Sequence, residues 1–196
     1  MIAIVDYNTG NLRSVVNAVR RAGAEYVLTA DRKIIESADR VLLPGVGEAS
    51  SAMANLRATG LDEVIPRLTI PVLGICIGVQ LMCAGSEEGN VRTMGIFPTE
   101  VRRFEADKEA GIKVPHMGWN RITELETPLF EGINSGDWVY YVHSFAPDLC
   151  DCTIAQTEYG RVFSGALGRD NFWGTQFHPE KSGDVGARII ENFIKL

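Results

Sequence analysis

The chain has 196 residues, of which 45% are hydrophobic and 22% are charged, values that are ordinary for a globular protein with one sizeable core. Its net charge of −6 lacks the basic excess that nucleic-acid binding requires. Because the sequence has no apolar run of about twenty residues and no secretory leader, we expect neither membrane insertion nor secretion, and we expect a cytoplasmic protein.

The first half of the chain alternates short apolar runs with helical patterns. Apolar runs predict strands at 2–5, 25–28, 41–43 and 72–75. Helical spacing of apolar residues predicts helices at 12–22, 34–38, 48–60, 61–68 and 78–84. This alternation with short turns predicts an α/β fold with a central, mostly parallel sheet flanked by helices.

The second half changes character, because strand-like segments follow one another with turn residues between them. These predicted strands lie at 95–104, 119–123, 138–143, 153–157, 163–167 and 172–177, and one helix follows at 185–194. We therefore expect added antiparallel strands beside the parallel core. The absence of linkers and repeats predicts a single domain over residues 1–196.

The stretch from Val72 to Gln80 has the features of a nucleophile elbow. An apolar run ends at Cys76, a helical pattern begins at once, and glycines lie two residues away on each side, at Gly74 and Gly78. Side chains at those positions would collide in so tight a turn, and the helix N-terminus favours a thiolate. Taken alone, the stretch fits a nucleophile and a buried apolar cysteine equally well.

A cysteine nucleophile needs a base, and the base needs a group that orients it. Pro179 excludes helix at its own position and favours an extended His178, so His178 and Glu180 are predicted to point the same way. The alternative is a surface His-Pro-Glu turn. For His143, in an aromatic strand, we expect a satisfied core position or one behind the site, and for His116 a structural role in a turn.

Acyl transfer also needs hydrogen-bond donors for an oxyanion. The backbone amide of Ile77 is one candidate, and the loop Gly45-Val46-Gly47 after the third strand is the other. The loop nearly matches a dinucleotide-binding fingerprint, which leaves a phosphate site as the alternative. It lacks the last glycine and places Glu48 at the helix start, so we favour the oxyanion role.

The four cysteines do not suggest a disulfide scaffold. Cys150 and Cys152 form one close pair with no second pair of Cys or His at zinc spacing. We therefore expect no metal and no cofactor, and we assign no chemical role to Cys83, Cys150 or Cys152.

With the elbow at 74–80 and the motif at 177–180 together, the chain resembles the class I, or triad, glutamine amidotransferases. Within that family it is most similar to the glutaminase subunits of imidazole glycerol phosphate synthases, through motifs at 44–47, 115–120, 140–145 and 176–182. The resemblance runs from Asp6 to the last helix and implies a flavodoxin-like fold. Ile77 and Val79 replace the leucine and methionine that are commonest in the elbow, and both replacements are apolar.

The resemblance implies a role for each matching residue. Cys76 attacks the side-chain amide of glutamine, His178 moves the protons, and Glu180 orients His178. The positions that match the oxyanion amides are Val46 and Ile77, and those that match the glutamine-binding residues are Gly47, Gln80, Glu88 and Ser144. The positions that match the face for the partner are Trp119, Tyr140 and Lys181.

The partner implied by the resemblance is a cyclase subunit with a (β/α)8 barrel, which takes up ammonia in histidine synthesis as the other half of a heterodimer. Ammonia is mostly protonated in neutral water and is then no nucleophile, so a glutaminase without an acceptor site has to deliver it directly. Three alternatives remain: an amidotransferase of another pathway, a stand-alone thiol hydrolase, and a binding subunit without activity.

Overall fold

The computed structural model describes residues 1–8, 10 and 12–196. Within these residues the helices are α1 (Arg13–Arg21), α2 (Arg32–Glu36), α3 (Ala49–Thr59), α4 (Leu61–Val64), α5 (Ile77–Met82) and α6 (Gly183–Lys195). The strands of the first half are β1 (Ile2–Val5), β2 (Tyr26–Thr29), β3 (Arg40–Gly45), β4 (Val72–Cys76), β5 (Gly85–Ser86) and β6 (Val91–Arg92). Those of the second half are β7 (Glu100–Arg103), β8 (His116–Arg121), β9 (Trp138–His143), β10 (Phe145–Pro147), β11 (Thr153–Tyr159), β12 (Arg161–Arg169) and β13 (Phe172–Thr175).

A seven-stranded sheet in the order β11-β12-β13-β4-β3-β1-β2 forms the centre of the molecule. The strands from β2 to β13 in this order run parallel, whereas β12 and β11 add an antiparallel edge. The residues of β1 and β4 are all buried, as expected for strands covered on both faces. The prediction of a mostly parallel sheet with added antiparallel strands is confirmed.

Two smaller sheets lie outside the central one. One has four strands in the order β10-β7-β5-β6, and the other pairs β8 with β9 in antiparallel register. Large side chains of the β8–β9 sheet are exposed, with Met117 63%, Trp119 53% and Trp138 49% accessible. This sheet therefore presents an apolar face to solvent.

Several predicted boundaries were wrong. The predicted strand at 95–104 shrinks to β7, because Gly95 has a positive φ of 70° and Pro98 lacks a ladder donor. The predicted helix at 61–68 divides into α4 and a 3₁₀ turn, Ile65–Arg67, with Pro66 in its first turn. The predicted strand at 172–177 ends at Thr175.

The topology brings distant parts of the chain to one edge of the sheet. β3 and β4 end side by side with Gly45 paired to Cys76, and β13 runs parallel to β4 on its other side. The loop after β3, the turn after β4 and the segment after β13 consequently meet at the carboxyl ends of the strands, where ligands bind in open α/β sheets.

Candidate active site

Cys76 lies at the sharp turn between β4 and α5 in a strained conformation. Its φ of 54° and ψ of −109° fall in a region that residues with a side chain rarely adopt. Such strain persists only where the surrounding structure enforces it, and it concentrates at functional sites. The side chain is nevertheless buried, with 5% accessible.

The two glycines that flank Cys76 are required by close contacts. A Cβ atom on Gly78 would lie 1.8 Å from the carbonyl oxygen of Leu43, and one on Gly74 would lie 2.8 Å from the backbone of Gly78. Real atoms do not approach so closely, so the turn exists only with glycine at both positions. The structure thus confirms the steric reasoning behind the elbow.

The Cys76 side chain lines a cavity of about 310 Å³ at the carboxyl ends of β3 and β4. The walls include nearly every residue that the sequence nominated for catalysis or glutamine binding: Val46, Gly47, Ile77, Gln80, Glu88, Ser144 and His178. Lys181, nominated for the partner face, lines the cavity as well, whereas Trp119 and Tyr140 lie outside it.

His178 shares the cavity wall with Cys76, and its ring is hydrogen-bonded to Glu180. The Nδ1 atom of His178 lies 2.8 Å from Oε1 of Glu180, and both side chains are 4% exposed. With Nδ1 engaged, the other ring nitrogen is left available to Cys76, which lines the same cavity. The His178–Glu180 pair forms as predicted, but an extended segment does not align it, because Pro179–Lys181 is a turn of 3₁₀ helix.

Charge decides the protonation of His178. Burial opposes the imidazolium, but the charge and hydrogen bond of Cys76, followed by those of Glu180, outweigh burial and raise the pKa of His178 to about 10. At neutral pH the site therefore holds a protonated imidazole next to the sulfur.

The main-chain position of His178 is fixed from the β8–β9 sheet. Its N–H donates to the Tyr140 carbonyl at 2.9 Å. The Ser182 hydroxyl donates to the His178 carbonyl at 2.6 Å and accepts from the Tyr140 N–H at 2.9 Å. Tyr140 also pairs with Trp119 across the sheet, with ring centroids 6.0 Å apart. The exposed sheet and the histidine are therefore directly connected.

His143 and His116 form a buried relay with a fixed direction. Nδ1 of His143 donates to the Phe145 carbonyl at 2.8 Å, so its Nε2 must accept from Nδ1 of His116 at 3.0 Å. Nε2 of His116 then accepts from Asn120 at 3.3 Å. Both rings are neutral in this arrangement. His143 is a satisfied buried histidine at the cavity wall, whereas His116 belongs to β8 and not to a turn.

This relay makes the fold sensitive to acid. Burial lowers the pKa of His143 to about 3 and that of His116 to about 4, from 6.5. Between pH 6.5 and 4 both histidines bind protons in the unfolded chain but stay neutral in the folded protein. The stability present above pH 6.5 is therefore lost as pH falls. His178 acts oppositely, since its raised pKa contributes stability that is lost as pH rises toward 10.

We therefore expect the free energy of unfolding in urea to fall by about 2 kcal/mol between about pH 7 and about pH 5. This pH range lies above the usual pKa of carboxyl groups, so the change reports mainly on the histidines. His116→Gln removes one titrating ring and should flatten the slope. A slope that is the same in this variant and in the wild type would contradict the assignment.

The loop at 45–47 fits an oxyanion site better than a phosphate site. The N-terminus of α3, which a phosphate would occupy, is already taken, because the Ala49 N–H donates to Oε2 of Glu88 at 2.8 Å. Burial raises the pKa of Glu88. A carboxylate at the helix start would repel a phosphate, so the loop remains a candidate donor for a reacting carbonyl.

Sequence reasoning missed Gln176, which is fully buried behind Cys76. Its Nε2 atom lies 3.8 Å from the Cys76 sulfur, and its Oε1 atom accepts from Gln80 at 2.9 Å. The available signal was an amide side chain in an otherwise apolar stretch, two residues before His178. Such a side chain needs polar partners when it is buried.

Within the described part of the chain, no cluster of three or more His, Cys, Asp or Glu side chains could hold a metal ion. No helix formed by these residues is long and apolar enough to cross a membrane. All four cysteines are free thiols.

Comparison with known proteins identifies the family of the chain. The family model "Glutamine amidotransferase class-I" matches residues 3–196. The imidazole glycerol phosphate synthase subunit HisH of Bacteroides thetaiotaomicron is 54% identical over 195 residues, covering 100% of this chain and 99% of that protein. The HisH subunit of Shewanella oneidensis is 44% identical over 211 residues, covering 100% and 96%.

Solved structures show the same fold. A crystal structure of a glutamine amidotransferase has a TM-score of 0.76 at 17% identity, covering 100% of this chain and 98% of the other. A glutamine amidotransferase from Thermotoga maritima has a TM-score of 0.66 at 19% identity, covering 99% and 82%. From the family match and the full-length relatives together, the chain belongs to the class I glutamine amidotransferases and, among them, to the family of HisH subunits of imidazole glycerol phosphate synthase.

Proposed function

We propose that the chain hydrolyses glutamine through a thioester on Cys76 and passes the ammonia to a separate cyclase subunit. As a HisH-family protein it is the glutamine amidotransferase subunit of imidazole glycerol phosphate synthase, an enzyme of histidine biosynthesis. The observation that carries the mechanism is that the strained Cys76 and His178 line one cavity, with Nδ1 of His178 held by Glu180.

In the first half of the reaction, the Cys76 thiolate attacks the side-chain carbonyl carbon of glutamine. The carbonyl oxygen gains negative charge, and we assign its stabilisation to the backbone amides of Val46 and Ile77, two residues of the cavity wall. The carbon–nitrogen bond then breaks, and His178 gives its proton to the leaving nitrogen. Ammonia departs, and a glutamyl thioester remains on the sulfur.

In the second half, the neutral His178 accepts a proton from water as the water oxygen attacks the thioester carbon. The carbon–sulfur bond breaks, glutamate leaves, and the thiolate and the imidazolium are restored. Glu180 keeps Nδ1 of His178 protonated and so presents the other nitrogen to the reacting atoms in both halves.

The polar groups of the cavity suit the amino-acid end of glutamine. Glu88 offers a carboxylate for the ammonium group. Oε1 of Gln80 is a buried acceptor without a partner among the described residues, which suits a donor on the substrate. Gly47 and Ser144 complete the proposed binding set.

The proposed partner is a cyclase with a (β/α)8 barrel, bound as a heterodimer through Trp119, Tyr140 and Lys181. The exposed apolar face of the β8–β9 sheet supports this surface. The hydrogen bond from the His178 N–H to the Tyr140 carbonyl gives partner binding a short route to the proton donor. We also propose that residues 1–196 act as one amidotransferase domain in the cytoplasm.

The test is glutamate release by the purified chain with and without the cyclase and its bound ligand. We expect slow hydrolysis alone and faster hydrolysis in the complex, because partner binding adjusts the site. Equal turnover in both conditions would contradict the coupling. Hydrolysis of esters or peptides in preference to glutamine would favour a stand-alone thiol hydrolase.

Trp119→Ala is expected to weaken binding of the cyclase by at least about tenfold, because large aromatic side chains dominate interface energies. The dissociation constant is measured by titration calorimetry. Leu28→Ala is the matched control, since Leu28 is 43% exposed on β2, at the far edge of the central sheet. A similar loss in both variants would exclude a specific interface at Trp119.

A further inference from the structure

We infer that Gln176 is a positioning residue for the nucleophile and that its side-chain N–H donates a hydrogen bond to the sulfur of Cys76. Gln176 is fully buried and lies just after β13, and its side chain is not part of the cavity wall. Its Nε2 atom is 3.8 Å from the sulfur. The inference rests on the proposed role of Cys76.

The donor in this hydrogen bond is fixed by the backbone carbonyl of Phe145, which orients Gln80, which in turn orients Gln176. Nε2 of Gln80 lies 2.9 Å from the Phe145 carbonyl oxygen, which only accepts hydrogen bonds. The amide of Gln80 is therefore fixed with its nitrogen toward Phe145, and its second N–H donates to Oε1 of Gln176 at 2.9 Å.

With its oxygen committed to Gln80, Gln176 has only its nitrogen to present to Cys76. The reverse orientation would place two amide nitrogens 2.9 Å apart, donor against donor, in a buried position. The Phe145 carbonyl also accepts from Nδ1 of His143, so it anchors the relay of histidines as well as the pair of glutamines. The two lone pairs of this one carbonyl oxygen thus determine which atoms donate and which accept in both networks.

Two of the groups around the sulfur, the Val142 carbonyl and the Gln176 amide, favour different protonation states. The Val142 carbonyl, 4.0 Å from the sulfur, can only accept a hydrogen bond and therefore favours the thiol. The N–H of Gln176 can only donate and therefore favours the thiolate. Gln176 supports the attacking form from the buried side, while the cavity side stays open to substrate.

The test compares Gln176→Glu, which keeps the shape and the acceptor for Gln80 but puts an oxygen against the sulfur, with Gln176→Met, which keeps the length without polar atoms. Alkylation of Cys76 by iodoacetamide is followed across pH by peptide mass spectrometry. We expect Cys76 at about pH 7 to react about tenfold more slowly in Gln176→Met and about a hundredfold more slowly in Gln176→Glu. The midpoint of the pH profile should move upward by about one unit or more.

Two controls separate this effect from general damage. The partly exposed Cys152 in the same samples should react at an unchanged rate, and Gln156→Glu, the same change on β11 outside the cavity wall, should leave Cys76 as reactive as in the wild type. In glutamine hydrolysis the loss in Gln176→Glu, which keeps the acceptor for the substrate-binding Gln80, should fall on kcat, with KM within about twofold, because Gln176 itself does not line the cavity.

Alkylation of Cys76 at the wild-type rate in both Gln176 variants would overturn the inference. An equal decrease in the alkylation rates of Cys76 and Cys152 would overturn it as well. Neither result bears on the nucleophile itself. Glutamine hydrolysis that survives Cys76→Ala would instead refute the proposed function, so the two failures are distinguishable.

Discussion

Cys76→Ala is expected to reduce glutamine hydrolysis at least about a thousandfold, because no other group in the cavity can form the thioester. The variant should still fold, since the substitution removes one sulfur atom from a site that already tolerates its backbone strain. The measurements are glutamate release with saturating partner and, in the wild type, mass spectrometry of acid-quenched enzyme, which should show the glutamyl adduct on the Cys76 peptide.

The matched control is Cys83→Ala. Cys83 is also buried and follows α5 directly, but it does not line the cavity, and burial raises its pKa well above the ordinary range, which makes it inert. This variant should keep nearly full activity. Comparable activity in Cys76→Ala and Cys83→Ala would show that the sulfur at the elbow is not the nucleophile.

Gly78→Ala is expected to destabilise the fold by about 4 kcal/mol or more, which is enough to leave most small domains largely unfolded. The added Cβ would lie 1.8 Å from the carbonyl oxygen of Leu43, a fully buried residue of β3 in the middle of the sheet. Neither backbone can move without breaking the pairing of β3 with β4. Urea unfolding, or recovery in the soluble fraction, measures the loss.

Gly85→Ala provides the comparison for this steric argument. Its Cβ would also make a short contact, at 2.6 Å, but with Oε2 of Glu100, the far end of an exposed and flexible side chain that can rotate away. We expect a cost below about 1 kcal/mol. If both glycine variants are equally unstable, the cause is a general intolerance of the turn region and not the contact with Leu43.

The parallel core could be predicted because each of its strands is recognisable from its own residues. The apolar runs of β1, β3 and β4 are buried on both faces, so each reads as continuous hydrophobic sequence. The elbow could be predicted because steric exclusion leaves a fixed spacing of glycines around Cys76. Both signals depend on neighbours within a few residues.

The features that were missed depend on partners far away in sequence. β5 and β6 are two residues each and carry no periodicity of their own. The role of Gln176 depends on Gln80, nearly a hundred residues earlier, and on the carbonyl of Phe145, which no side-chain pattern can report. The pairing of His178 with Glu180 was predicted correctly from spacing, but through the wrong local geometry.

The neighbouring positions of β4 and β13 have a consequence for protein synthesis. Cys76 is translated about a hundred residues before His178, the base that activates it. The two side chains come together only when β13 pairs with β4. Because pairings between distant segments form late, a chain still emerging from the ribosome carries the thiol without its base. We expect nascent chains to be unable to consume glutamine, so that no ammonia is released before the subunit is complete.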